Sequence, residues 1–132
     1  RDSERLSVWP YAVAACAAEK HNVTAAIVAR DGSTKVILKA DNSGPHTASS
    51  ANGKAFTSAA MGRDTADLAG FITENPQNAG LRDMDDRLVI QAGGLPIKIG
   101  GALVGGIGVG GAPSGDADAA CARAGLDAIA AE

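Results

Sequence analysis

GGLPIKIGGALVGGIGVGGAPSGD, residues 93–116, holds two short apolar runs, 95–99 and 103–109, on either side of Gly100-Gly101. Val, Ile and Leu fit a pleated surface, and Gly-Gly supplies the positive φ angles of a tight hairpin. The stretch therefore predicts two antiparallel strands. The second strand is unusual for Gly105, Gly106, Gly108, Gly110 and Gly111. Glycine weakens a strand, so a run of it points to close approach of another backbone or of a ligand. Two readings follow: tight packing in a layered core, or a flat pocket wall where a ligand touches main chain.

Downstream, Pro113-Ser114-Gly115-Asp116 predicts a turn into a last helix over 117–131, with Ser114 or Asp116 as its cap. Upstream, residues 88–92 predict a third strand of this group, and the polar segment 74–87 predicts a surface loop. Before it come a helix over 50–61, capped by Thr47, Ser49 or Ser50 and closed by Gly62, and a short helix from Asp64 or Thr65 to about Phe71. Residues 41–47 (DNSGPHT) form a polar loop in which Gly44-Pro45 breaks structure and presents His46. Residues 23–30 and Thr34–Lys39 flank Asp31-Gly32, a strong hairpin signal. Helical periodicity runs through Leu6, Trp9, Val13, Cys16 and Ala17, with Pro10 tolerated in a first turn and Lys20-His21-Asn22 at the end. Residues 1–5 are charged and expected to fray. The order is helix, hairpin, two helices, three strands, helix. It predicts one α/β domain of α+β type over residues 1–132, with an antiparallel sheet covered by helices.

A chain of 132 residues buries enough surface for a core without metal or disulfide staples. Aromatics are only 3% of it, so the core is Ala, Val, Ile and Leu, with Trp9, Tyr11, Phe56 and Phe71 as its large pieces. The net charge of −3 and the lack of a Lys/Arg cluster argue against nucleic acid. No apolar run approaches the ~20 residues of a membrane-spanning helix. The first residue is Arg1, as in a mature chain freed of a leader or a trimmed one. Cys16 and Cys121 both fall in Ala-rich helical stretches. They are either two buried small side chains or a disulfide joining the first and last helices, which implies an oxidising compartment.

Gly106-x-Gly108-x-x-Gly111 matches the dinucleotide fingerprint, but that motif must open a helix directly after a strand. Here a turn with Pro113 intervenes, so no dinucleotide site is read. His21, at a helix C-terminus, reads as structural. His46 sits in a loop just before a helix, not where a core histidine usually lies, and imidazole is the commonest metal ligand. Lys54, near the start of the same helix, is either a solvated lysine or an anion-attracting one. Asp83, Asp85 and Asp86 fit no calcium loop and read as solvated.

With these pieces placed, the chain resembles the GlcG/HbpS family, which includes the C-terminal domain of PduO-type proteins, over about residues 7–132. The most specific part is residues 93–125, GGLPIKIGGALVGGIGVGGAPSGDADAACARAG. A second segment, residues 44–68 (GPHTASSANGKAFTSAAMGRDTADL), is similar to the secreted haem-binding branch. There a Gly-Pro-His-Thr loop precedes a helix with Ser-Ala-x-x-Lys-Ala-x-Thr, positions filled here by Ser50, Ala51, Lys54, Ala55 and Thr57. The resemblance implies an α/β/α sandwich around a five-stranded antiparallel sheet, assembled as dimers or larger homo-oligomers. It implies haem as cofactor, with haem degradation or redox sensing suggested for some members. The implied haem-binding residues are His46, as haem contact or iron ligand, Lys54 at a propionate, and Thr47; no catalytic set is implied.

The leading expectation is thus a haem-binding protein in extracytoplasmic haem handling or redox sensing, secreted or periplasmic, with the cytoplasm as the alternative. A second expectation is a small-molecule enzyme or accessory domain in which Asp41, His46 and Lys54 bind a carboxylate, with His46 as acid/base. A third is a structural oligomer whose glycine strand is an assembly seam. None involves nucleic acid or membrane insertion.

Overall fold

The two central strands, β1 (Thr24–Ala29) and β4 (Ala102–Gly110), run antiparallel and carry the edge strands β2 (Thr34–Lys39) and β3 (Gly94–Ile99) in the order β2-β1-β4-β3. This is seen in a computed structural model that describes residues 8–130. Both predicted hairpins form. Gly100 and Gly101 join β3 to β4 with φ of +58° and +82°, the doubly positive pair a two-residue hairpin favours. Gly32, with φ +88°, turns β1 into β2, and Asp31 Oδ1 accepts the Ser33 N–H at 3.0 Å.

The β1–β4 register explains the glycines. Ala26 lies opposite Gly108, and Val28 opposite Gly106, while Ala25 faces Val109 and Ile27 faces Ile107. Side chains alternate across a strand, so at the β1–β4 pair one face carries Ala26, Val28 and the glycines and the other carries Ala25, Ile27, Ile107 and Val109. Helix α2 (Thr47–Met61) lies on the small face, where Ala26, Val28, Ala51, Ala55 and Ala59 form an alanine-rich cluster. A Cβ on Gly108 would collide with the Ala51 carbonyl oxygen, and one on Gly106 with the Ala55 carbonyl oxygen. The glycines let helix backbone rest on strand backbone. Close packing is therefore the correct reading for Gly106 and Gly108, because α2 covers them, while Gly111, past the end of β4, lines an open hollow.

Helices α1 (Trp9–Ala18) and α4 (Gly115–Ala130) cover the large face. Ile27, Ile107 and Val109 are fully buried there, each contributing about 1.5–3 kcal/mol by burial. Cys16 and Cys121 form a disulfide between these helices, with Cα atoms 5.5 Å apart. Pro10 sits in the first turn of α1, and Ser114 Oγ accepts the Ala117 N–H at 3.1 Å as the cap of α4. Three layers result, α/β/α, as expected. Helix α3 (Thr65–Glu74) adds a satellite cluster of Leu68, Ile72 and Ile90.

Several expectations are corrected. The sheet has four strands among the described residues, not five. Residues 88–92 form no strand because their backbone is served elsewhere. The Val89 N–H donates to Thr57 Oγ1 at 2.9 Å, Arg82 NH1 donates to the Ile90 carbonyl at 2.8 Å, and Gly93 at φ +131° then turns the chain. Helix α2 begins at Thr47, and no side chain caps it. The segment 74–87 contains a 3-10 helix, Pro76–Asp83. Tyr11 is 40% exposed and not a core piece. Residues 1–5 and the Trp9 side chain fall outside the described residues.

Candidate functional site

His46 is the N-cap residue of α2, and its carbonyl accepts the Ser50 N–H at 3.0 Å. Its side chain is exposed. A Cβ on Gly44 would lie 2.7 Å from Cε1 and 3.0 Å from Nδ1, so the imidazole folds back over Gly44. The ring stands on the rim shared by two hollows. The larger, about 770 Å³, runs between the start of α2, the 3-10 helix and the 111–116 loop. The smaller, about 430 Å³, is bounded by Asn52, Arg87 and Val89.

The floor of the larger cleft is a buried ion pair. Lys54 Nζ lies 3.0 Å from Asp118 Oδ2 and donates to the Val109 carbonyl at 3.0 Å. Asp118 Oδ1 accepts the Ala112 N–H at 2.9 Å, tying the cleft wall to the same carboxylate. Burial pushes the Asp118 carboxyl above its ordinary range, although the Ala112 N–H and the Lys54 charge both pull it down. Glycine makes room for the lysine. A Cβ on Gly93 would lie 2.9 Å from both Cδ and Nζ of Lys54. The Gly93-Gly94 pair thus does two tasks: it turns the chain into β3 and lets Lys54 pass beneath.

Thr47 is buried next to His46. Its hydroxyl lies 2.7 Å from Thr24 Oγ1 and 2.7 Å from the Gly44 carbonyl, which accepts from it. Thr47 therefore fixes the His46 loop to β1. Arg82 and Gln91 are exposed on the opposite side, with Ile90, Ala69, Ala112 and Pro113 supplying apolar wall. Arg87 stacks on Phe56, 4.2 Å from the ring centroid, and holds the Asp85 carboxyl down to about 2.

The structure brings His46, Thr47 and Lys54 to one cleft. Asp41 does not line it, so the Asp41/His46/Lys54 carboxylate set is not assembled. Among the described residues, no group of three or more His, Cys, Asp or Glu side chains is arranged to hold a metal ion. Sequence reasoning missed Asp118, Arg82 and Gln91. For Asp118 a signal existed, since it shares the buried stripe of α4 with Cys121, Ala122 and Gly125. Lys54 likewise shares a stripe with Ala51, Ala55 and Ser58. A charge on a buried stripe needs a partner, and each is the other's.

A family model described as haem degrading protein, HbpS-like, matches residues 6–127. No curated protein matches the chain. Among solved structures, a double mutant of Streptomyces reticuli HbpS is 38% identical, with a TM-score of 0.88 over 97% of this chain and 85% of that one. A PduOC–haem complex is 26% identical, with a TM-score of 0.84 over 96% of this chain and 91% of that one. Klebsiella pneumoniae protein ORFY, 20% identical with a TM-score of 0.88 over 99% and 89%, shares the fold. The match spans nearly all of the helices and strands that build the cleft, and the chain belongs to the HbpS-like family.

Proposed function

We propose that this protein binds haem in the cleft beside His46 and serves in haem handling or redox sensing. The observation that carries the reading is the exposed His46 imidazole on the rim of a cleft of about 770 Å³, within the roughly 300–1,000 Å³ of small-molecule and cofactor sites. The residues fit such a group. An imidazole can approach iron, Ile90, Ala112 and Pro113 offer apolar contact, and Arg82 adds positive charge. Haem, when bound, supplies the iron chemistry. The chain's own residues position it. Thr47 ties the loop to β1, Gly44 sets the ring, and the Lys54–Asp118 pair holds the floor and the 111–113 wall.

An extracytoplasmic setting belongs to the same reading, and the Cys16–Cys121 disulfide supports it, because such bonds persist in oxidising compartments. So does a homo-oligomer, since the cleft is open and a second copy would cover a bound porphyrin; sedimentation with and without haemin tests this. The binding itself is tested by haemin titration of the wild type beside His46→Ala. A saturable, shifted Soret band that is lost in the variant supports the site. Binding that the variant leaves untouched keeps the function and removes His46. No saturable shift in the wild type overturns the haem reading.

A further inference from the structure

Three cationic or potentially cationic side chains line the larger cleft: His46, Lys54 and Arg82. They differ in what they have left to give. Lys54 is 3% exposed, and its ammonium already serves Asp118 and the Val109 carbonyl. Drawing it out toward a ligand would leave Asp118 buried without its cation. Arg82 is exposed, and among the described residues the one hydrogen bond it makes is from NH1 to the Ile90 carbonyl, at 2.8 Å. A guanidinium has five N–H donors, so that bond fixes its plane while leaving most of the fork available. Its planar fork matches a carboxylate bidentately, which an ammonium cannot do.

We propose that Arg82, not Lys54, is the anchor for the carboxylate edge of the porphyrin, and that Lys54 is a positioning residue beneath the site. The proposal rests on the haem reading above. Recognition then has two points on different elements. His46, at the head of α2, meets the metal, and Arg82, on the 3-10 helix, meets a carboxylate. The charge count of the cleft agrees. Lys54 and Asp118 cancel as a buried pair, and Arg82 offsets Asp116, the other carboxylate on the wall. Without Arg82 the cleft carries an uncompensated negative charge and repels a dianionic ligand.

The test separates metal from carboxylate. Haemin, iron-free protoporphyrin IX and its dimethyl ester are titrated into the wild type, Arg82→Gln, Arg82→Lys and His46→Ala, with thermal melts confirming the fold of each. The wild type is expected to bind the free acid more tightly than the ester. Arg82→Gln is expected to weaken the free acid about tenfold, the scale of one charge-assisted hydrogen bond, and to leave the ester unchanged. Arg82→Lys is expected to keep part of the preference, and it serves as the readout should Arg82→Gln not fold. His46→Ala is expected to alter the haemin spectrum while keeping the preference for acid over ester. Equal free-acid affinity in Arg82→Gln and wild type overturns the assignment, as does an equal loss for acid and ester. Failure of every porphyrin to bind the wild type overturns the haem reading and this assignment with it.

Discussion

Lys54 on α2 and Asp118 on α4 meet beside the last residues of β4, Nζ to Oδ2 at 3.0 Å, both side chains almost wholly buried. The pair connects the helix that carries His46 to the helix that carries Cys121, and through the Ala112 N–H it also holds the cleft wall. Taking two charges out of water costs several kcal/mol each, so the pair holds only because both partners are present. Lys54→Met is therefore expected to destabilise the protein by about 3–5 kcal/mol. The double variant Lys54→Met with Asp118→Leu is expected to lose clearly less. Urea midpoints of the three proteins check this. A double variant as unstable as the single would show that the pair's geometry, not its stranded charge, carries the cost.

Asp118 also sets a pH dependence. Its carboxyl is raised above its ordinary value by burial, so the folded state holds the proton more tightly than the unfolded chain. Its stabilising contribution is complete below the unfolded value of about 3.9 and is lost as pH rises through the folded value. Asp118→Asn removes this dependence. The stability of the wild type relative to the variant is expected to fall as pH rises from 4 to 7, by urea denaturation at each pH. A difference that rises over that range would mean that Lys54 outweighs burial.

The glycines of β4 and α3 are expected to respond in opposite senses. Gly108→Ala drives a methyl into the Ala51 carbonyl, and neither backbone can yield without moving a layer. A loss of about 3 kcal/mol or more is expected, at or beyond the usual overpacking range. Gly70 sits in α3, and nothing lies within 4 Å of an added Cβ. Gly70→Ala is expected to stabilise by about 0.5–1 kcal/mol through helix propensity. Paired denaturation curves check both signs.

Gly44→Ala tests the placement of His46. The added methyl would lie 2.7 Å from the imidazole Cε1, so the ring must swing away. The melting temperature is expected to stay near that of the wild type, because the site is on the surface. The haemin spectrum is expected to change. An unchanged spectrum together with an unchanged His46→Ala result would remove the ring from the site.

Reducing the Cys16–Cys121 disulfide is expected to destabilise the fold. The cross-link joins positions 105 apart in sequence, and chain entropy puts a loop of that length near 4–5 kcal/mol. A lower melting temperature in dithiothreitol, absent in Cys16→Ala/Cys121→Ala, checks it. Identical melting of the wild type with and without reductant would show that the bond contributes nothing.

Local chemistry made much of the fold legible. Gly100-Gly101 and Asp31-Gly32 announce their hairpins because turn geometry depends on the few residues in the turn. The helices show through their periodicity, and Ser114 through its cap position. The glycines of β4 announce a close approach, by backbone or by ligand, and the folded arrangement assigns Gly106 and Gly108 to the α2 backbone. Residues 88–92 are an apolar β-prone run that predicts a strand and forms none. Their backbone partners are instead the side chains of Arg82, eight positions back from Ile90, and Thr57, 32 positions back from Val89.

The site divides in the same way. The residue types of the His46 loop and the fitness of His46 for iron are properties of the sequence. Which cations remain free for a ligand is a property of the tertiary structure. Lys54 is surrendered to Asp118, 64 positions away, and Arg82 is held at the cleft by its bond to the Ile90 carbonyl. Turns and helices follow from the order of residues alone, since their causes lie within a few neighbours. The pairing of buried charges follows only from the folded arrangement, because it depends on which distant side chains share a place from which water is excluded.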